Sequence, residues 1–302
     1  MTGSAASAVQ LGQSRKSKWS LRGIALVYLG FLLILPVIGI FFEAISYGIG
    51  VAIDAVTTPE AQHAFYLTIL MCLIAVPLNT IFGVLTALVL VRQKFRGKGF
   101  LNALIDLPFA ISPVVIGLAL LLLYGPRDSW LGEWFLQSGI EIIFTPIGMA
   151  IATMFVSLPF VVREVEPVLR EIGTDQEQAA STLGANGWQT FWKITLPSIR
   201  WGVTYGVVLA TARALGEFGA VSIVSSNVAG ETETVPLFVA RQYDLLGDHV
   251  AGAYAASIVL AILALMTLFS MNMIRRRDKV AETPTTIAVV PTFDKPTKEA
   301  DG

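Results

Sequence analysis

Six stretches of this chain, near residues 23–46, 64–91, 100–124, 146–165, 199–224 and 251–274, are apolar over about the length a helix needs to cross the hydrocarbon of a bilayer. No water is available there to bond backbone amides and carbonyls, so each run must satisfy them within its own segment. The expected fold class is therefore all-α, a polytopic membrane protein with six transmembrane helices. Composition agrees: 54% of residues are hydrophobic and 14% charged, with a mean hydropathy of +0.68, against roughly 25% charged in an ordinary soluble chain. The run Ile24–Phe42 follows Arg15, Lys16, Lys18 and Arg22 as a signal peptide's apolar core would. It is too long for such a core and similar runs follow, so it reads as the first span.

Net charge is -1, so no global field invites nucleic acid, and the information lies in where the charges sit. Basic clusters lie before span 1, between spans 2 and 3 (Arg92, Lys94, Arg96, Lys98), between spans 4 and 5 (Arg163, Arg170, Lys193, Arg200) and after span 6 (Arg275, Arg276, Arg277, Lys279). All four fall on one side. The opposite loops carry Arg127 and Arg241 among many acidic residues. By the positive-inside rule both termini are expected in the cytoplasm. The expected division is an N-terminal tail over 1–20, a transmembrane domain over 21–278 and a disordered tail over 279–302, the last rich in Thr, Pro and charge. Cys72, the single cysteine, lies in an apolar run and reads as packing.

Between spans 4 and 5 the segment GTDQEQAASTLGANGWQTFWKITLPSIRWG carries two successive helix-start signals. Thr174 with Glu177 predicts a capping box opening a short Ala-rich helix, with Gly184 at its C′ position. Asn186 with Gln189 repeats the signal for a second helix bearing Trp188, Phe191 and Trp192, before Pro197 leads into span 5. Such a pair either lies on lipid headgroups or presents aromatic anchors to a soluble partner.

Gln178-Ala179-Ala180, three residues, Gly184, nine residues, then Ile194-Thr195-Leu196-Pro197 resembles the EAA loop of bacterial ABC importer permeases. Gln178 stands where that pattern has Glu, with Glu177 immediately before it. The resemblance implies a type I ABC importer permease fold in which residues 174–197 seat in a groove of an ATP-binding subunit. The chain lacks the G-x4-G-K-[ST] phosphate loop; Gly97-Lys98-Gly99 is the nearest fragment. A partner must therefore supply the energy, and no catalytic or metal-ligating residue is expected in this chain.

LIDLPFAISPVVIGLALLL in span 3, LPFVVREVEPVL, ARALGEFGAVSIVS and GETETVPL extend the resemblance over roughly residues 20 to 278. They are similar to the sulfate/thiosulfate permease family, in its CysW-type branch. The family implies a second permease subunit (CysT type), two ATP-binding subunits (CysA type) that hold ATP and Mg, and an extracytoplasmic sulfate-binding protein. This chain would bind no cofactor itself and would meet membrane lipid. Molybdate and tungstate permeases share the ARxxGEFG region, so a molybdate permease stands as the alternative.

Arg213 lies about 18 Å along span 5 from Trp201, and an ionisable group at that depth needs a partner or a water-lined path. Glu217 follows at i+4, on the same helix face. The pair is either a lock between helices or part of the translocation pathway, where Arg213 offers a fork of donors to an oxyanion. Pro108 and Pro113 interrupt span 3, as a packed kink or as irregular backbone lining the same path. Two rival classes remain. An ion-coupled secondary transporter would use Glu217 and Asp106 as relay carboxylates, and an intramembrane enzyme would need more than His63 and His249, both at outer span ends.

Overall fold

The computed structural model describes residues 15–126, 129–247 and 249–281, and among them every regular element is a helix. Helices α1 (Arg15–Leu29) and α2 (Leu35–Ser46) run together through a π-helical turn, Gly30–Ile34. After α3 (Ile49–Val56) comes the long α4 (Pro59–Arg92), then α5 (Lys98–Ala110), α6 (Pro113–Tyr124), α7 (Gly132–Gln137) and α8 (Pro146–Ile172). Helices α9 (Asp175–Thr182) and α10 (Gly187–Thr190) form the loop before α11 (Leu196–Leu215), and α12 (Gly219–Val224), α13 (Val235–Asp244) and α14 (His249–Ala281) complete the chain. Helix α1 starts inside the expected N-terminal tail and α14 runs past 278; the rest of both tails, with Arg127, Asp128 and Asp248, lies outside the described residues.

Among the described residues, four helices are long and apolar enough to cross a membrane: Arg22–Ser46, Pro59–Arg92, Pro146–Ile172 and His249–Ser270. The third expected span is a bent pair, α5 and α6, meeting at 114°. The cause is local. Pro113 has no N–H and disfavours helical geometry in the residue before it, and Ser112 accordingly sits at φ -60, ψ 137. Pro108, by contrast, is buried inside α5 without ending it. Pro159 and Pro167 likewise sit within an unbroken α8. The fifth expected span, 199–224, divides at Gly216 into α11 and the short α12.

Helices α4 and α8 form the centre. Thr58 starts α4 by accepting from the Ala61 amide at 3.3 Å, with Pro59 at the first turn and Arg92 at the last. Asn79 of α4, 2% exposed, donates to Ser157 Oγ at 2.8 Å and to the Met154 carbonyl at 2.9 Å across the α8 contact. Helix α11 lies against both. A Cβ at Gly83 of α4 would sit 2.7 Å from Val161 Cγ1, and one at Gly206 of α11 would sit 2.9 Å from Val161 Cα. Val161 is thus clasped between two glycines, the close backbone approach that small residues permit in membrane helix packing. One apolar core gathers Leu67, Met71, Ile116, Met149 and Val221 toward the Thr58 end of α4. A second gathers Leu90, Val161, Val165, Leu169 and Ile199 toward the Arg92 end.

Candidate functional site

At the Arg92 end, α9 and α10 project from the bundle as a knob. The Thr174–Glu177 capping box expected from sequence does not form: no side chain caps α9. Glu177 turns inward instead. Its Oε1 accepts from Arg92 Nη2 at 3.0 Å and from Thr195 Oγ1 at 2.9 Å, and its Oε2 lies 3.0 Å from Arg92 Nε as an ion contact. The second capping box forms as expected, with Asn186 Oδ1 accepting from the Gln189 amide at 2.8 Å and Gln189 Oε1 from the Asn186 amide at 3.1 Å. Gly184 follows the end of α9 at φ 85, the left-handed residue expected at C′. Ala180 is buried beneath the knob, while Gln178, Ala179, Gly184 and Pro197 are exposed and Ile194 and Leu196 half-buried.

The outer face of this knob is apolar. Leu183 is 88% exposed, Trp188 71% and Trp192 51%. Trp188 and Trp192 meet edge-on at 5.5 Å, which fixes them as one surface. The second helix does not stop at Pro197. It continues through the π-helical turn Phe191–Thr195 into α11, where proline fits at the first turn.

The second candidate region lies where the broken helices meet. Arg213 Nη1 is 2.7 Å from Glu217 Oε2, so the expected pair forms. Glu217, however, is not on α11: the helix ends at Leu215, and Glu217 occupies the break before α12. Its other oxygen, Oε1, accepts from the Ala220 amide at 2.9 Å. One buried carboxylate therefore neutralises Arg213 and satisfies a free amide at the start of α12. A Cβ at Gly219 would come within 3.0 Å of Pro113 Cβ, so the α11–α12 break abuts the α5–α6 break. The structure brings Glu217 and Pro113 into one region; Pro108 stays in α5, next to the Phe109–Phe160 edge contact at 5.3 Å.

Three further charged groupings form. Arg163 donates to Asp106 Oδ1 at 2.9 Å, to Asn102 Oδ1 at 3.0 Å and to Glu166 Oε2 at 2.6 Å, joining α5 to α8. His63 Nε2 lies 3.0 Å from the Glu231 carbonyl, and Arg241 donates to both oxygens of Glu233, at 2.6 and 3.0 Å. These hydrogen bonds push the Arg241 guanidinium above its already high range. The third is Arg92 with Glu177. Sequence spacing cannot reveal the Arg163–Asp106 and Arg92–Glu177 partners, 57 and 85 residues apart, whereas Arg163 with Glu166 is a local i, i+3 pair.

Residues 79–279 match the family described as the binding-protein-dependent transport system inner membrane component. The chain is 49% identical over 269 residues to a protein of Synechocystis sp. named "Sulfate transport system permease protein CysW", covering 89% of this chain and 96% of that one. It is 44% identical over 262 residues to the Escherichia coli (strain K12) protein of the same name, covering 86% and 88%. Among solved structures, a bacterial alginate ABC transporter in complex with an alginate pentasaccharide-bound periplasmic protein contains a chain that superposes with a TM-score of 0.70 at 20% identity, covering 87% of this chain and 96% of that one.

Proposed function

The chain belongs to the binding-protein-dependent transport system inner membrane component family, and from that premise we propose that it is a CysW-type permease subunit of an ATP-driven sulfate importer. The observation that carries this is the near full-length identity to CysW proteins. It forms half of the translocation pathway, with a second, CysT-type permease as the other half. Two ATP-binding subunits hold ATP and Mg. A periplasmic protein delivers the substrate, a reading supported by the alginate transporter, solved in complex with a periplasmic protein that holds an alginate pentasaccharide. Both termini and the α9–α10 knob face the cytoplasm.

Within this reading Leu183, Trp188 and Trp192 seat in the ATP-binding subunit, since exposed aromatic anchors held in a rigid short element are what interfaces use as hot spots. The paired breaks at Gly216 and Ser112 line the path near the subunit axis. Irregular backbone at membrane depth is tolerated only against protein or water. Arg213, already compensated by Glu217, would guide an oxyanion without trapping it, as conduction requires.

The test is uptake of labelled sulfate by proteoliposomes holding this chain with its partner permease, ATPase subunits and binding protein. Uptake that needs ATP and is competed by thiosulfate is the expected result. Uptake driven by an ion gradient alone would refute it, and molybdate outcompeting sulfate would move the substrate assignment to the molybdate class.

A further inference from the structure

The knob is joined to the bundle by two peptide connections of unequal stiffness. On one side α10 runs through the π-helical turn into α11 without interruption. On the other, α8 ends and the chain turns through Gly173 at φ 68, ψ -160, a conformation that glycine adopts freely and that fixes little. By peptide connection alone, a push on the knob would reach α11 and be lost before α8.

The side chains bypass that soft turn. Arg92, the last residue of α4, donates from Nη1 to the carbonyl of the fully buried Leu169 on α8 at 3.1 Å and from Nη2 to Glu177 of α9 at 3.0 Å. Thr195, in the turn that leads into α11, donates to the same Glu177 oxygen at 2.9 Å. Glu177 is therefore tied to both halves of the knob, and Arg92 ties it to both central helices. Side-chain exposures are 17% for Arg92 and 23% for Glu177. Arg92 meets the carboxylate at two points, the Nη2 hydrogen bond and the Nε ion contact, and two points resist rotation as well as separation, which a single-point contact does not. The cavity left beside them, between Gln176, Ile194 and Ser198, is about 10 Å³, room for at most about one water.

We propose that Arg92 and Glu177 form a rigid joint that carries displacement of the knob into α4 and α8. They are positioning residues for transport, acting through the helices they connect. The proposal rests on the reading of the knob as the ATPase docking element. It also assigns a role to Glu177, beside Gln178, whose own side chain is exposed and bonds back to Thr174 Oγ1 at 2.8 Å.

The complete transporter in proteoliposomes, supplied with sulfate and binding protein, tests this through the ratio of sulfate moved to ATP hydrolysed. Glu177→Gln should keep its ATPase subunits through purification and still hydrolyse ATP. Its ratio should fall about 10-fold, within the usual span of coupling between linked sites. Thr195→Val should lower the ratio less. The exchange Arg92→Glu, Glu177→Arg restores the charge pair but loses the donor to the Leu169 carbonyl and the acceptor for Thr195, so it should recover the ratio only in part. A wild-type ratio in Glu177→Gln overturns the joint. So does loss of the ATPase subunits from that variant, which would make the pair a folding or docking element. The docking reading itself fails separately, if Trp188→Ala leaves ATPase retention unchanged.

Discussion

Glu217 uses one carboxylate twice, as an ion contact to Arg213 and as a hydrogen-bond acceptor for Ala220, and the two have different consequences. Removing it in Glu217→Ala leaves Arg213 without its counter-charge and the Ala220 amide without its acceptor. Breaking a buried pair costs about 3–5 kcal/mol; Arg213 is 28% exposed, so the low end of that range is expected, read as a lowered thermal midpoint of the purified complex. Glu217→Gln keeps an acceptor for Ala220 and should lose less. The same geometry picks the substitution that separates lock from pathway. Arg213→Leu with Glu217→Gln removes both charges but spares the start of α12, whereas a double replacement by Leu would damage that start as well. Normal assembly with sulfate uptake retained would leave the pair a lock; normal assembly with uptake lost would place it on the path. The pairing was legible from the i, i+4 spacing. The helix break was not, because apolar residues continue beyond Gly216 and Glu217, and the packing of Gly219 against Pro113 and Val114 exists only in the fold.

Among the elements, proline and capping signals succeeded where nothing distant competed with them. Asn186 and Gln189 are exposed, so their reciprocal bonds form as sequence predicts. Thr174 and Glu177 carry the same local pattern, but Arg92 and Thr195 claim the carboxylate, an ion pair outweighing a cap. The third span bends where Ile111 and Ser112 are both extended, the latter as the residue before Pro113, while Pro159 and Pro167 are absorbed into α8. The packing of α4, α8 and α11 depends on bare glycines. Gly206→Ala would push a methyl to 2.9 Å from backbone Val161 Cα, which side-chain rotation cannot relieve. It should destabilise by about 1–3 kcal/mol, as overpacking does. Gly187→Ala, where a Cβ meets nothing within 4 Å, should stay within about 0.5 kcal/mol. Thermal unfolding of the two purified complexes, compared side by side, checks the contrast.

Across the whole molecule, the charge asymmetry and the packing describe one axis. Helix α8 has the knob and its basic residues at the Ile172 end, and at the Pro146 end the 139–145 segment, where the Phe144 amide donates to the Val224 carbonyl at 2.7 Å. At 27 residues and 1.5 Å per residue, α8 places those ends about 40 Å apart, more than the hydrocarbon thickness. Helix α8 is therefore long enough for its ends to reach different aqueous sides, and sequence could supply this much because span length and Lys/Arg bias are one-dimensional signals. It could not supply the joint between Arg92 and Glu177 or the meeting of the two breaks, which exist only after the helices pack. Cys72 is buried and is the single cysteine, so Cys72→Ala gives a silent background for mapping that axis. In it, Ser181→Cys on the exposed side of α9 and Ser138→Cys on the exposed loop after α7 report the two ends. With the knob facing the cytoplasm, a membrane-impermeant maleimide added to intact spheroplasts should label position 138 and reach position 181 only after permeabilisation. The reverse pattern would invert the topology and, with it, detach the knob from any cytoplasmic ATPase.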